Sequence, residues 1–458
     1  MRYVSTRGQA PVLNFEQAML SGLARDGGLY LPESVPAFSG LETLDGLPYE
    51  EIAFRVIRPF TGDSFTEEEL RGAIFRAYAR ISHAARAPLV QLAPGHHLLE
   101  LFHGPTLAFK DFAMQLIAQL FQIALKRSGQ RITIVGATSG DTGSAAIEAF
   151  RGIDNVDVFI MFPHGRVSEV QRRQMTTPDA PNVHALAVDG HFDDCQARLK
   201  DLFNDHAFRD RVGLAGVNSI NWARVVAQIV YYFTAAASLG MRETDFTVPT
   251  GNFGDIFAGS MARAMGLPIR RLIVATNQND ILHRALSTGE YRVGEVHPSI
   301  SPSMDIQVSS NFERALFLAY GGDAGAIRQL MDEMKSGGFT ISQGALQALR
   351  GQYASGRVSE ADTLAMIRTI RDETGEILCP HSAVGVAVAR QYLEPGVPMV
   401  TLATAHPAKF PDAVQDAAGI RPALPPHMEN LFDLPERVTR VGNDVNPLKT
   451  LILDRRAN

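Results

Sequence analysis

Lys110 stands in LFHGPTLAFKDF (101–112), among apolar residues and at the point where a helical pattern begins. Burial there disfavours the ammonium form and lowers the pKa, and a partly neutral amine forms a Schiff base with an aldehyde. The plainer reading of a single lysine is a pair with Asp111 or a reach to solvent. Two further segments bear on the choice. GATSGDTG (136–143) joins a β-branched run to a helical one; its glycines let the backbone approach a ligand, and its amides and hydroxyls at a helix start hold a carboxylate or phosphate. An ordinary turn capped by Asp141 or Thr142 is the alternative. VPTGNFGD (248–255) repeats the arrangement, and its run of amides is a nest for a phosphate that needs no lysine in the loop. It is neither a Walker loop nor a G-x-G-x-x-G fingerprint. Asp255 at its end either competes with a dianion or caps backbone amides. Together the three segments describe pyridoxal phosphate: the aldehyde for Lys110, the phosphate for the Gly251 loop, and a substrate carboxylate for the Ser139 loop.

These loops need a frame that holds them side by side. From Arg131 onward short β-branched runs alternate with helical patterns: RITIVGATSGDTGSAAIEAF, then DVFIMF with VSEVQRRQM, VHALAV with FDDCQARLKDLF, FTVPTGNFGD with IFAGSMARAMG, and RLIVATNQND with ILHRALSTG. Such alternation predicts right-handed crossovers, a mainly parallel sheet with helices on both faces, and ligands at the carboxyl ends of the strands. The first hundred residues lack it and read as mostly helical, with a helix start at Ser64-Phe65-Thr66-Glu67, so they are expected to form a separate N-terminal cap. A late helical stretch precedes the strand PMVTLATA, and ALPPHMENLFDLPE reads as surface packing. At about 150 residues per domain, 458 residues suggest three domains, or one large α/β unit with an appendage. The division expected is a cap over 1–98, a small cofactor domain with the Schiff-base lysine and substrate loop over 99–225, and a large domain with the cofactor-phosphate loop over 226–458.

Composition removes other classes. With 43 Lys and Arg against 49 Asp and Glu, the formal net charge is −6, which argues against a nucleic-acid binder. VVAQIVYYFTAAASLGM (225–241) approaches the roughly 20 residues of a membrane span, but Gln228, Thr234 and Ser238 make it a buried core helix. Cys195 and Cys379 form no C-x-x-C pair, and the start has no long apolar stretch, so a reducing cytoplasmic setting is expected. His96, His97, His103, His381 and His406 fall in no H-E-x-x-H pattern, and no metal site is expected. Asp193, Asp194 and Cys195 read as helix cap and core, and Trp222 as packing.

Five collinear segments, HGPTLAFKDF, TSGDTGSAA, VNSINWARVVAQIVYYF, VPTGNFGDIFAG and TAHPAKF, resemble the signature segments of the threonine synthase family in its bacterial and fungal branch. With YVSTRG near the start, the resemblance runs over nearly the whole chain. It implies a fold type II pyridoxal-phosphate enzyme that converts O-phospho-L-homoserine and water to L-threonine and phosphate, the last step of threonine biosynthesis, as a monomer or homodimer. By resemblance, Lys110 holds the cofactor aldehyde, Gly251, Asn252, Phe253 and Gly254 its phosphate, and Thr404 faces its ring nitrogen. Ser139 and Gly140 belong to the substrate loop, and Asn218, Ser219 and Arg224, with Thr142, match positions for the substrate phosphate. Asp141 stands where wider relatives carry Asn beside the cofactor's phenolic oxygen; against an anionic oxygen it must be protonated, turned away or bridged by water. The nearest rival is a related lyase acting on an unphosphorylated amino acid, which has no use for Arg224; a more distant one is a non-catalytic binding protein on the same scaffold.

Overall fold

The computed structural model describes residues 1–456. The chain opens with β1 (Tyr3–Ser5) and β2 (Tyr30–Pro32), an antiparallel pair, around helices Phe15–Ser21, Tyr49–Thr61 and Glu67–Tyr78. The last of these starts at Thr66, whose hydroxyl accepts from Glu69 N while the Glu69 carboxylate accepts from Thr66 N, a reciprocal cap that fixes the helix start expected from the sequence. Next come β3 (Leu89–Ala93), β4 (His96–Glu100) and the helix Lys110–Ser128. Then follow β5 (Ile132–Ala137), β6 (Val156–Pro163), β7 (Val183–Val188) and the short β8 (Leu214–Ala215). The helix Trp222–Ser238 leads to β9 (Thr244–Pro249), β10 (Ile269–Thr276), β11 (Glu290–Arg292), β12 (Gly338–Thr340), β13 (Tyr353–Arg357), β14 (Met399–Ala403) and finally β15 (Val438–Val441).

Two main sheets result. The smaller has order β15-β7-β6-β5-β8 with every pair parallel, and its strand β6 is buried along its whole length, as a strand covered on both faces must be. The larger has order β13-β10-β9-β14-β4-β3 and is parallel except for the antiparallel edge pair β3–β4. The fold is thus the α/β type II architecture of pyridoxal-phosphate enzymes, with parallel sheets clad by helices.

Pairing moves the expected boundaries. The boundary at 98/99 falls within β4 and that at 225/226 within the helix Trp222–Ser238. Residues 89–98 are strand rather than helical cap, because their backbone groups complete the edge of the large sheet beside β14. The tail returns to the small sheet, where β15 pairs with β7 and the Pro-rich stretch before it is tied down by an Arg172–Glu436 ion pair. We propose a division by sheet membership instead: a cap up to β3, the small sheet with β15, and the large sheet with β3 and β4.

The run at 225–241 forms the buried part of the helix Trp222–Ser238, and among the described residues no helix is long and apolar enough to cross a membrane. Trp222 opens that helix, fully buried, with ring centroids 6.0 Å from both Tyr3 and Phe60 and the Arg314 guanidinium 5.5 Å from its own. It locks the cap to the helix that carries Arg224. Trp222→Ala should therefore cost about 3–5 kcal/mol, read as a lowered midpoint in thermal or urea unfolding; an unchanged midpoint would show that the cap docks without it.

Candidate active site

Five loops leave the carboxyl ends of β4, β5, β8, β9 and β14 and enclose one cavity of about 950 Å³ lined by Lys110, Ser139, Asp141, Thr142, Asn218, Ser219, Arg224, Thr404 and residues 251–254. Of the residues singled out in the sequence, only Gly140 is missing from the lining. Its φ of 137° is one that side chains rarely adopt, its amide donates to Thr138 Oγ1, and a Cβ there would lie 2.4 Å from Gln171. Gly140 therefore lets the loop close on Gln171.

Lys110 is placed by a seam between β4 and β14. Leu101 N donates to Ala403 O, Phe109 N to Thr404 O and His406 N to Leu107 O, so Lys110 and Thr404 share one wall. Leu107, at φ 62°, makes the turn that allows this. Asp111 does not pair with Lys110; it folds back to accept from Thr106 N at 2.8 Å and Thr106 Oγ1 at 2.7 Å. Lys110 Nζ instead lies 3.3 Å from Asp141 Oδ2 and 4.6 Å from the centre of the Phe109 ring. Burial lowers its pKa, Asp141 opposes this, and Lys409 and Arg224 reinforce it.

Asp141 answers the question its sequence position raised. Burial alone would protonate it, but Lys409 and Lys110 overcome burial and hold its carboxyl well below the usual carboxylate range. Oδ1 accepts from Lys409 Nζ at 2.8 Å and Gln171 Nε2 at 2.9 Å; Oδ2 accepts from Lys110 and from Ser303 Oγ at 3.2 Å. It is thus held ionised by its neighbours. Neither Asp141 nor Thr142 caps its helix; Thr138 Oγ1 holds the turn by accepting from the amides of Gly140 and Gly143.

The helix Gly254–Ala264 begins without a side-chain cap, at Phe253 with φ 64°. Its first amides have no intrahelical partner and face an anion site. A Cβ on Gly251 would lie 2.6 Å from Ser303 O, so the loop tolerates only glycine against its neighbour. Asp255 does not cap this start either. Its Oδ1 accepts from the hydroxyls of Tyr231 and Tyr232, its Oδ2 has no partner, and burial pushes its pKa up to about 7, so it is only about half ionised at neutral pH.

Arg224 lines the same cavity from another loop. It is 2 % exposed, its Nη1 donates to Val217 O at 3.3 Å, its Nε has no partner, and among the described residues no carboxylate lies within ion-pair distance. Burial lowers its pKa only to about 10, so it stays charged. Asn218 and Ser219 precede it on the loop after β8. An uncompensated buried guanidinium is costly, and an incoming anion relieves that cost.

Sequence reading did not find Lys409, Gln171, Ser303 or His381. His381 lines the cavity, its Nε2 accepts from Ser303 N at 3.2 Å, and burial lowers its pKa to about 4, which keeps it neutral. Lys409 had a faint signal as a lysine in the apolar tail of the segment that carries Thr404; the others had none. Asp194 accepts from His191 N at its helix start and Cys195 is buried, as cap and core. Among the described residues no group of three or more His, Cys, Asp or Glu is arranged to hold a metal.

Three family models match in chain order: "Threonine synthase N terminus" over residues 2–78, "Pyridoxal-phosphate dependent enzyme" over 83–405 and "Threonine synthase, C-terminal" over 382–452. The chain is 53% identical to the threonine synthase of Pseudomonas aeruginosa, over 99% of this chain and 98% of that one. It is similar to the solved pyridoxal-phosphate-bound threonine synthase of Brucella melitensis at TM-score 0.97 and 54% identity, covering 100% of both chains. The Escherichia coli threonine synthase structure follows at TM-score 0.85 and 32% identity, again over 100% of both.

The titration of Asp255 gives a pH signature. Its folded value of about 7 lies above that of an unfolded aspartate, so between about pH 4 and 7 the folded state keeps a proton that the unfolded state releases, and stability falls as pH rises by up to ~1.4 kcal/mol per unit. Asp255→Asn removes this slope. In phosphate-free buffer the melting temperature of the variant minus that of the parent should rise through this window and level off above it; a difference independent of pH would contradict the assignment.

Proposed function

Since the chain belongs to the threonine synthase family of pyridoxal-phosphate enzymes, we propose the following residue roles for its conversion of O-phospho-L-homoserine and water to L-threonine and phosphate. The residues fit the cofactor: a buried amine of lowered pKa faces a cavity whose far wall is an uncapped helix start with a glycine that admits no Cβ. Lys110 holds the aldehyde, the amides of Gly251, Asn252, Phe253 and Gly254 hold its phosphate, and Thr404 offers a neutral hydroxyl to the ring nitrogen. When bound, the cofactor supplies the electron sink that the carbanions of this reaction need.

The chain's own groups do the rest. Ser139 and Thr142 orient the substrate at the first loop. Arg224, with Asn218 and Ser219, holds the substrate phosphate and directs it as leaving group; a guanidinium offers two parallel donors where an ammonium offers a point charge. Lys110, displaced when substrate takes its place, moves the protons at Cα and then at Cβ. Asp141, 3.3 Å from Nζ, steadies the protonated amine between those steps. The walls built from five strand ends keep bulk water from the reacting carbons until the single hydration step. A cytoplasmic setting agrees with two buried, unpaired cysteines, and the chain acts as a monomer or a homodimer.

One observation carries this reading: a buried guanidinium without a carboxylate partner shares a cavity with a second, separate anion station. A lyase for unphosphorylated amino acids needs only one. Arg224→Ala should therefore leave the visible cofactor spectrum nearly intact while kcat/KM for phosphate release from O-phosphohomoserine falls about a hundredfold, with Arg224→Lys restoring it only in part. Borohydride reduction and peptide mapping should find the cofactor on Lys110. Equal loss on serine or threonine deamination would mean that Arg224 supports the fold rather than the substrate phosphate.

A further inference from the structure

Lys110 is one of two buried lysines on Asp141, and the second has no place in the mechanism above. Lys409 ends the 3₁₀ turn Pro407–Lys409 that follows Thr404, and it is 0% exposed. Its Nζ donates to Asp141 Oδ1 at 2.8 Å and to Thr106 O at 2.7 Å, leaving one hydrogen for any other contact. Its backbone carbonyl accepts from Ser168 Oγ at the start of the helix that carries Gln171. Gln171 Oε1 accepts from Ser168 N, so its Nε2 is committed to Asp141. The lysine and the amide are thus placed by one joint.

We infer that Lys409 is a positioning residue for the reaction: its ammonium neutralises Asp141, so that the pair presents Lys110 with a dipole rather than a net charge. The inference rests on the reading of Lys110 as the cofactor lysine. A carboxylate 3.3 Å from Nζ and otherwise uncompensated would hold the Lys110 proton and oppose its delivery to carbon. A second cation closer to the same carboxylate, at 2.8 Å, cancels most of that pull while leaving both oxygens available as acceptors. An asparagine at 141 with a neutral residue at 409 would offer Lys110 an acceptor of similar shape and the same net charge.

The other groups around the pair leave this balance in place. Ser303 and Gln171 are neutral donors, and His381 is kept neutral by burial. Arg224 disfavours the charge on Lys110, while Asp255 is raised to about 7 by its own burial. On the far side of Lys409, burial raises Asp111 to about 6 against its bonds to Thr106 and the Lys409 charge, so it is mostly ionised at neutral pH; it acts on Lys409 from beyond ion-pair distance, whereas Asp141 Oδ1 lies at 2.8 Å.

The test is a cycle of cofactor-loaded proteins: parent, Lys409→Gln, Asp141→Asn and the double variant, each titrated through the visible cofactor band and assayed for kcat/KM. Glutamine keeps a donor and loses only the charge. Lys409→Gln should raise the pH midpoint of the band and of the rate profile by about one unit, Asp141→Asn should lower both, and the double variant should return to the parent's midpoint. Each single change should lower kcat/KM about a hundredfold and the double should recover at least about tenfold of that loss. Additive losses, or midpoints that stay fixed in variants that fold, would overturn the inference. If a single variant fails to load cofactor, the double decides: folding with the parent midpoint sustains the pair, and a double that does not fold overturns it. Borohydride trapping in the parent separates the two readings, because an adduct on another lysine removes the role of Lys110, whereas an adduct on Lys110 with an additive cycle removes only that of Lys409.

Discussion

A carboxylate stays ionised inside a protein only when cations and donors meet its oxygens, and Asp141 is met from four chain segments at once. Lys110 opens a helix after β4, Lys409 ends the turn after β14, Gln171 sits in the helix Glu169–Thr176, and Ser303 lies in the turn Pro302–Met304. Satisfying one buried charge therefore fixes the loops of both sheets relative to each other. Loss of any one cation leaves the buried carboxylate short of a partner, which is the most destabilising way to break such a cluster.

The two anion stations rest on different physics. The Gly251 loop offers neutral dipoles, the uncapped amides of a helix start, whose attraction falls off within a turn. Arg224 carries a buried full charge with no carboxylate within ion-pair distance among the described residues, so an anion entering beside it finds that group desolvated in advance. Asp255 is the second residue of the Gly254–Ala264 helix, and its pKa of about 7 weakens its repulsion of an anion at that helix start.

The frame carries these sites with local distortions in the right places. Leu107 and Phe253 are two of five non-glycine residues with positive φ among the described residues, and each sits one or a few residues before a cavity group, Lys110 in one case and the first amides of the Gly254–Ala264 helix in the other. Such conformations persist where the surroundings over-determine them; Phe253 is gripped by the rings of Phe312 and Tyr353. Arg314 binds the cap to the loop after β8, donating to Tyr30 O at 2.7 Å and Ile220 O at 2.7 Å.

The alternation of β-branched and helical runs determined the parallel sheets, because the periods of 2 and 3.6 are written locally in residue order. The glycine-rich junctions determined three walls of the cavity for the same reason: a loop at a strand's carboxyl end lies where such sheets bind ligands. Lys110, Arg224 and Thr404 were legible through segments long enough to be specific. The pairing of β4 with β14 and the return of β15 to the small sheet were not legible, since strand partners hundreds of residues apart leave no mark in either strand's own period. The state of Asp141 was legible only as a problem. Whether it is ionised depends on the burial and on the nearness of Lys409, 268 positions away in a segment read only for its threonine, and charge balance in an interior is a property of distances that only the folded chain sets.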